Sequence, residues 1–227
     1  RSPSRGLGDV YKRQDTQKET RDRRTLLIEI GNAVTHGIGA GLSIAGLILL
    51  IIRAVHTGSP MRIVTFTIYG SALILFYLSS TLFHALIFTR AKRVFQILDH
   101  SMIFVLIAAT YTPYCLVSIR GWLGWTIFGV IWGLSVIGIV YKCIWLKHKS
   151  KYSTIIYILM GWLCLVAFMP LWRALGPVGF GLLLLGGLSF TLGALFYSRP
   201  TAYTHLIWHI FVLIGTILMY FSILLYV

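Results

Sequence analysis

From Leu26 onward this sequence is a succession of apolar runs of twenty residues or more, separated by short polar clusters rich in lysine and arginine. A helix needs about 20 apolar residues to cross a hydrocarbon core about 30 Å thick, so the runs are membrane-length. Composition agrees: 57% of the 227 residues are hydrophobic, 11% are charged, and the mean hydropathy is +0.82. A soluble domain carries about a quarter charged residues to build a wet surface, and this chain has too few. An integral membrane protein is therefore expected. The balance of 20 Lys+Arg against 6 Asp+Glu, a net charge of +14, would suit a nucleic-acid partner. The basic residues instead fall between apolar runs, so no nucleic acid is expected, and a disordered chain is excluded. Cys115, Cys143 and Cys164 are odd in number and show no CxxC spacing. They read as small buried hydrophobes rather than a disulfide framework.

Seven segments follow: Leu26–Ile52, Ile63–Phe88, Val94–Ile119, Trp122–Tyr141, Tyr152–Trp172, Ala174–Tyr197 and Ala202–Val227. Barrel strands would be about ten residues long with alternating polarity, which is not seen. A backbone in lipid must satisfy its own hydrogen bonds, so the expected fold is an all-α bundle of seven transmembrane helices over residues 26–227. Lys+Arg in the connections sets the orientation. Sixteen lie on the side of the N-terminal tail, including Arg90, Lys92, Arg93, Lys142, Lys147, Lys149, Lys151 and Arg199. Four lie opposite: Arg53, Arg62, Arg120 and Arg173. The N-terminus is expected in the cytoplasm and the C-terminus outside. No Met precedes Met61, and residues 1–24 hold eight Lys/Arg and no apolar core of a signal peptide. Residues 1–25 are read as a mobile cytoplasmic tail, set aside from the fold, with Arg1–Gln14 open to being an assembly scar.

Pro113, inside the third run, predicts a kink whose freed carbonyl is satisfied by a neighbouring helix or a Thr hydroxyl. Gly37, Gly39 and Gly41, and Gly181, Gly186 and Gly187, predict close helix contact.

After residue 24 the only acids are Glu29 and Asp99, and both lie inside apolar runs, as do His36, His84, His205 and His209. Ionisable groups within spans are costly and face a bundle interior, a partner or a substrate path. Their depths coincide. His84 precedes Arg90 by six residues, Asp99 follows Arg93 by six, and His205 and His209 follow Arg199 by six and ten. At about 1.5 Å per residue they sit roughly 9–15 Å from their loops. Facing agrees as well. His205 and His209 are spaced i,i+4, as are Ser80 and His84, and Glu29, Asn32 and His36 follow i, i+3, i+7. A single His in a span is more commonly a hydrogen-bonded structural residue, and HxxxH alone is a weak signal. Three histidines and a carboxylate gathered at one level suit a zinc ion with a position open to water.

Glu29-x2-Asn32-x2-Thr35-His36-Gly37, Ser80-x3-His84, Leu98-Asp99-His100-Ser101, Ala109-Thr110-Tyr111-Thr112-Pro113 and His205-x3-His209 together resemble the hemolysin III family. This is the bacterial branch of the superfamily that includes the progestin and adipoQ receptors, and the resemblance covers about residues 25–227. It implies a bacterial inner-membrane protein whose metal ligands are His84, His205 and His209, with Asp99 reaching the metal through water. Catalytic roles are expected for Asp99, which would orient that water or take its proton, and for Ser80, which would orient His84 or donate to an oxyanion. Glu29, Asn32 and His36 form a supporting polar cluster.

A three-His zinc site lowers the pKa of water to about 7 and polarises carbonyls. The receptor branch and the distantly related alkaline ceramidases imply amide hydrolysis of a lipid-like substrate drawn from the membrane. Three readings stay open. The first is a zinc-dependent intramembrane hydrolase of a lipid amide or ester, the second a non-catalytic regulator of membrane lipid state or signalling. A pore-forming cytolysin ranks last, because no polar stripe runs through a full span.

Overall fold

Hydrocarbon offers no water to unpaired N–H and C=O groups, and the chain meets this constraint with helices. The computed structural model describes residues 3–145, 151–199, 201 and 203–227, and among these the backbone forms helices and turns with no strand. The helices are α1 (Pro3–His56), α2 (Pro60–Ala85), α3 (Lys92–Pro113), α4 (Gly121–Trp145), α5 (Lys151–Trp162), α6 (Phe168–Tyr197) and α7 (Thr204–Tyr226). A π-helical segment, Tyr114–Ile119, continues α3, and a 3₁₀ segment, Leu163–Ala167, links α5 to α6. Among the described residues six stretches are long and apolar enough to cross a membrane: Asp22–His56, Pro60–Ala85, Lys92–Ile119, Gly121–Ile144, Ser153–Tyr197 and Thr204–Tyr226.

Three features differ from the sequence reading. First, α1 continues unbroken through the N-terminal residues that had been set aside, so the boundary expected at residues 25/26 falls inside a helix. Residues such as Lys12, Arg13, Gln17, Lys18 and Glu19 are good helix formers, and nothing in that stretch ends the helix. Second, the fifth and sixth segments form one stretch of 45 residues, Ser153–Tyr197, and its break is not at Arg173. It lies at Gly176, whose φ of 66° and ψ of 178° are non-helical. Glycine takes a positive φ without the Cβ penalty, and Pro177 starts the next helical turn where its missing N–H costs nothing. The chain doubles back there. Trp162 Nε1 donates to Thr191 Oγ1 at 3.0 Å between residues placed almost symmetrically about Gly176, and Phe168 packs on Phe180 with centroids 5.0 Å apart. Third, α2 ends at Ala85 and not at Phe88, which puts His84 in its last turn. Lys147, His148 and Lys149, part of the expected basic loop, lie outside the described residues.

Pro113 does perturb its helix. Past it the winding widens to the π-helical segment, which closes with Arg120 N–H donating to Cys115 O at 2.9 Å. Thr112 Oγ1 bonds back to Ala108 O at 2.9 Å and accepts Trp132 Nε1 from α4 at 3.1 Å. One residue earlier, the Tyr111 hydroxyl donates to the carbonyls of Met160 and Gly161 and accepts the N–H of Cys164 at 2.7 Å. Those groups lie where α5 gives way to the 3₁₀ segment, so one phenol satisfies backbone that the changed winding leaves unpaired.

The bundle centre is α2 and α3, whose membrane windows are 56% and 61% buried, against 33% or less elsewhere. Large apolar side chains on α1, α4 and α6 point outward, as in lipid-facing helices. Of the six glycines expected at contacts, two serve them. A Cβ on Gly39 would lie 2.5 Å from the Tyr77 ring, and one on Gly186 would lie 2.7 Å from Met219. Gly37 and Gly187 meet only ordinary contacts, and Gly41 and Gly181 face open space.

Candidate metal centre

The packing of α1 against both α2 and α7 brings the middle of α1, the last turns of α2 and the first turns of α7 together at one level. There His84, His205 and His209 converge, one ligand atom from each lying within 4.8 Å of the others. Ring centroids are 5.0 Å apart for His84 and His205, 4.9 Å for His84 and His209, and 4.7 Å for His205 and His209. The i,i+4 spacing on α7 puts two imidazoles on one face, and His84 closes the triangle from α2.

Each buried imidazole is turned by a partner from α1. Glu29 Oε2 lies 2.6 Å from His84 Nδ1, so the ring donates Nδ1–H to the carboxylate and leaves the Nε2 lone pair facing inward. His84 Nε2 is then 3.2 Å from His205 Nε2. His209 Nδ1 lies 3.3 Å from Asn32 O and 3.4 Å from Thr35 Oγ1, which leaves its Nε2 for the cluster. Thr35 is steadied by its own hydroxyl, bonded to Gly31 O and Asn32 O at 2.9 Å each. Thus α1 contributes no ligand, yet it fixes the tautomers of two.

His36 belongs to the cluster in a different way. Its ring is buried and stacks on His209 with centroids 3.6 Å apart and planes 12° apart, and it meets Tyr77 edge-on at 5.0 Å. Neither ring nitrogen has a hydrogen-bond partner, and the same is true of Asn32 Oδ1. His36 is a wall of the site and not one of the three converging ligands.

Asp99, from the start of α3, comes within electrostatic reach of Ser80 and His84, and its Oδ2 is 3.9 Å from His100 Nδ1. Tyr157 and Tyr197 stand around the same carboxyl. Ser80 Oγ is buried beside the Asp99 carboxyl. The Nδ1 side of His84 is taken by Glu29, and Ser80 stands nearer Asp99. Thr35, Tyr157 and Tyr197 were not singled out in the sequence, because threonine and tyrosine are ordinary in spans and only their contacts distinguish them.

Three neutral imidazoles flanked by the two intramembrane carboxylates can hold a divalent cation and offset its charge.

Comparison with known proteins agrees with the layout. A sequence model described as Haemolysin-III related matches residues 25–220. Hemolysin-3 of Bacillus cereus is 47% identical over 213 residues, covering 93% of this chain and 97% of that protein. The Hemolysin-3 homolog of Bacillus subtilis (strain 168) is 46% identical over 203 residues, covering 89% and 95%. The monocyte to macrophage differentiation factor of Homo sapiens is 27% identical over 167 residues, covering 70% of this chain and 69% of that protein. With a family match along almost the whole helical bundle and relatives near half identity end to end, this chain belongs to the haemolysin-III-related family of multi-span membrane proteins.

Proposed function

We propose that this protein is a zinc-dependent intramembrane hydrolase of a lipid amide or ester, set in the bacterial inner membrane. The observation that carries the reading is the convergence of His84, His205 and His209, with the inward nitrogens of His84 and His209 already selected by Glu29, Asn32 and Thr35. A tetrahedral ion with Zn–N bonds of about 2.0–2.1 Å spaces its ligand nitrogens roughly 3.3–3.4 Å apart. The 3.2 Å between His84 Nε2 and His205 Nε2 fits that edge. Bound there, zinc supplies a Lewis acid that makes water acidic near neutral pH and polarises a carbonyl. Asp99 accepts a proton from water beside the cluster and passes it to the leaving amine or alcohol. Ser80, buried beside Asp99, donates to the carbonyl oxygen of the substrate as charge develops on it.

The same reading places the reaction near the cytoplasmic face. The stretch Ser153–Tyr197 would be about 68 Å long as a straight helix, more than twice the hydrocarbon thickness. With its reversal at Gly176 we count it as two crossings, seven in all. The sixteen-to-four Lys+Arg bias then puts the N-terminus inside and the C-terminus outside.

A second reading, a zinc clamp without turnover that influences membrane lipid state, draws on the ligands' origin. An ion held by α2 and α7, whose ligands are braced by α1, would lock three helices together. The two readings part in one experiment: zinc quantification on purified protein, followed by an untargeted lipid-turnover assay. Release of a fatty acid that depends on zinc supports the hydrolase, and stoichiometric zinc with no lipid consumed supports the clamp.

A further inference from the structure

Beside the cluster a cavity of about 200 Å³ opens between α1 and the end of α2, lined by Glu29, Ile30, Ala33, Val34, His84 and Phe88 among others. Its floor and its rim differ in chemistry. The floor is the Glu29–His84 pair, with side chains 17% and 2% exposed. The rim is apolar and open: Ile30, Val34 and Phe88 are 49%, 54% and 71% exposed. Ile30 and Val34 continue along α1 into Ile38 and Leu42, also outward-facing, as an i,i+4 stripe of the kind that lies against lipid. The cavity is therefore a notch in the lipid-facing wall of the bundle, ending on a carboxylate that holds a metal-site imidazole.

From this notch we infer that a single-chain lipid with an uncharged, hydrogen-bond-donating head enters the site sideways from the bilayer between α1 and α2. The inference rests on the hydrolase reading of the cluster and names its entry port and substrate class. Three observations set the class. Ligand pockets that enclose a drug-sized molecule run about 300–1,000 Å³, so this smaller notch takes only the head and its linkage. The acyl chain stays outside, along Ile30, Val34, Ile38 and Leu42. The one carboxylate in the notch is Glu29, which accepts from His84 and is also engaged by the Asn32 side chain. A carboxylate has about four lone-pair sites, so Glu29 retains capacity for an amide N–H or hydroxyl. The same carboxylate repels an anionic head buried beside it.

The probe is a photoactivatable long-chain N-acylethanolamine at low abundance in phosphatidylcholine vesicles holding the zinc-loaded protein, with labelled peptides located by mass spectrometry. Label is expected on residues 30–42 of α1 and near Phe88, and little on the equally lipid-facing α4. Ala33→Trp, which fills the notch, should lower that labelling about tenfold at unchanged zinc content. Phe88→Ala, at an exposed site outside α2, checks the same port with little risk to folding and should shift the label along the rim. Excess unlabelled N-acylethanolamine should compete, whereas the fatty-acid anion should not. Label spread evenly over α1 and α4, or unaffected by both substitutions, overturns the port. Equal competition by the anion overturns the head-group class. Port-specific labelling without turnover would leave this inference standing and sink the hydrolase, and turnover with even labelling would do the reverse.

Discussion

Glu29 Oε2 approaches His84 Nδ1 to 2.6 Å, and this carboxylate–imidazole pair sets which nitrogen of His84 faces His205. A carboxylate in that position raises the basicity of the ligand and locks its ring, so its loss is felt by the metal even though it never touches it. Glu29→Gln is expected to weaken zinc binding by about 10–100-fold while keeping about one ion per chain at saturating metal. Competition with a chelator of known affinity reads this directly. Unchanged affinity would mean that His84 is held by packing alone.

Removing ligands should act more bluntly. The His205→Ala, His209→Ala double variant is expected to bind no zinc, and its thermal unfolding should lack the dependence on added zinc expected of the parent. Ligand bound to the native state stabilises it by about 2.7 kcal/mol at a hundredfold excess over Kd, and that increment should vanish. Zinc content and melting temperature, measured with and without a chelator, check both halves. Retained zinc would move the metal elsewhere.

Asp99→Asn separates chemistry from scaffolding. Because Asp99 is within electrostatic reach of Ser80 and His84 and is not one of the three converging ligands, zinc content should be largely kept. Any lipid hydrolysis should fall by about 10²–10⁴-fold, the usual contribution of a positioned acid or base. Full turnover per bound zinc would make Asp99 a structural partner of Ser80 and His100.

The turn at Gly176 makes a topological claim. Gly176→Val forces a β-branched residue to φ 66°, a cost of order 1–3 kcal/mol, and should lower the melting temperature without altering zinc stoichiometry. A reporter fused after Val227 should be active only when its assay works outside the cytoplasm, and one inserted at Lys147 should show the opposite. A cytoplasmic C-terminus would cancel the second crossing of Ser153–Tyr197.

Much of this site can be read from the chain because polarity is so scarce in it. With two acids after residue 24, depth and helical spacing were enough to gather His84, His205, His209, Asp99 and the α1 residues at one level, and the structure brings them together. Spacing does not reveal partners. The i, i+3, i+7 pattern of Glu29, Asn32 and His36 gives a face, but not that Glu29 takes His84, that the Asn32 carbonyl takes His209, or that His36 stacks flat on His209. The boundary at Arg173 was misplaced because a lone charge outweighed the adjacent Gly-Pro pair, which carries the actual conformational signal. Pro113 signals a disturbance, but not its form, which is the widened winding of Tyr114–Ile119.

The order of synthesis gives the contacts between α1 and α7 a second significance. While the last helix is still in the ribosome, the first two already lie in the membrane with Glu29 and His84 and lack the imidazoles they are built to face. That half-made bundle holds the Glu29–His84 pair without the polar neighbours that surround it in the finished fold, which hydrocarbon penalises. Arrival of α7 brings His205 and His209, supplies the missing two sides of the cluster and relieves the penalty in one step. The three-histidine cluster is therefore complete only once the last helix has packed beside the first two.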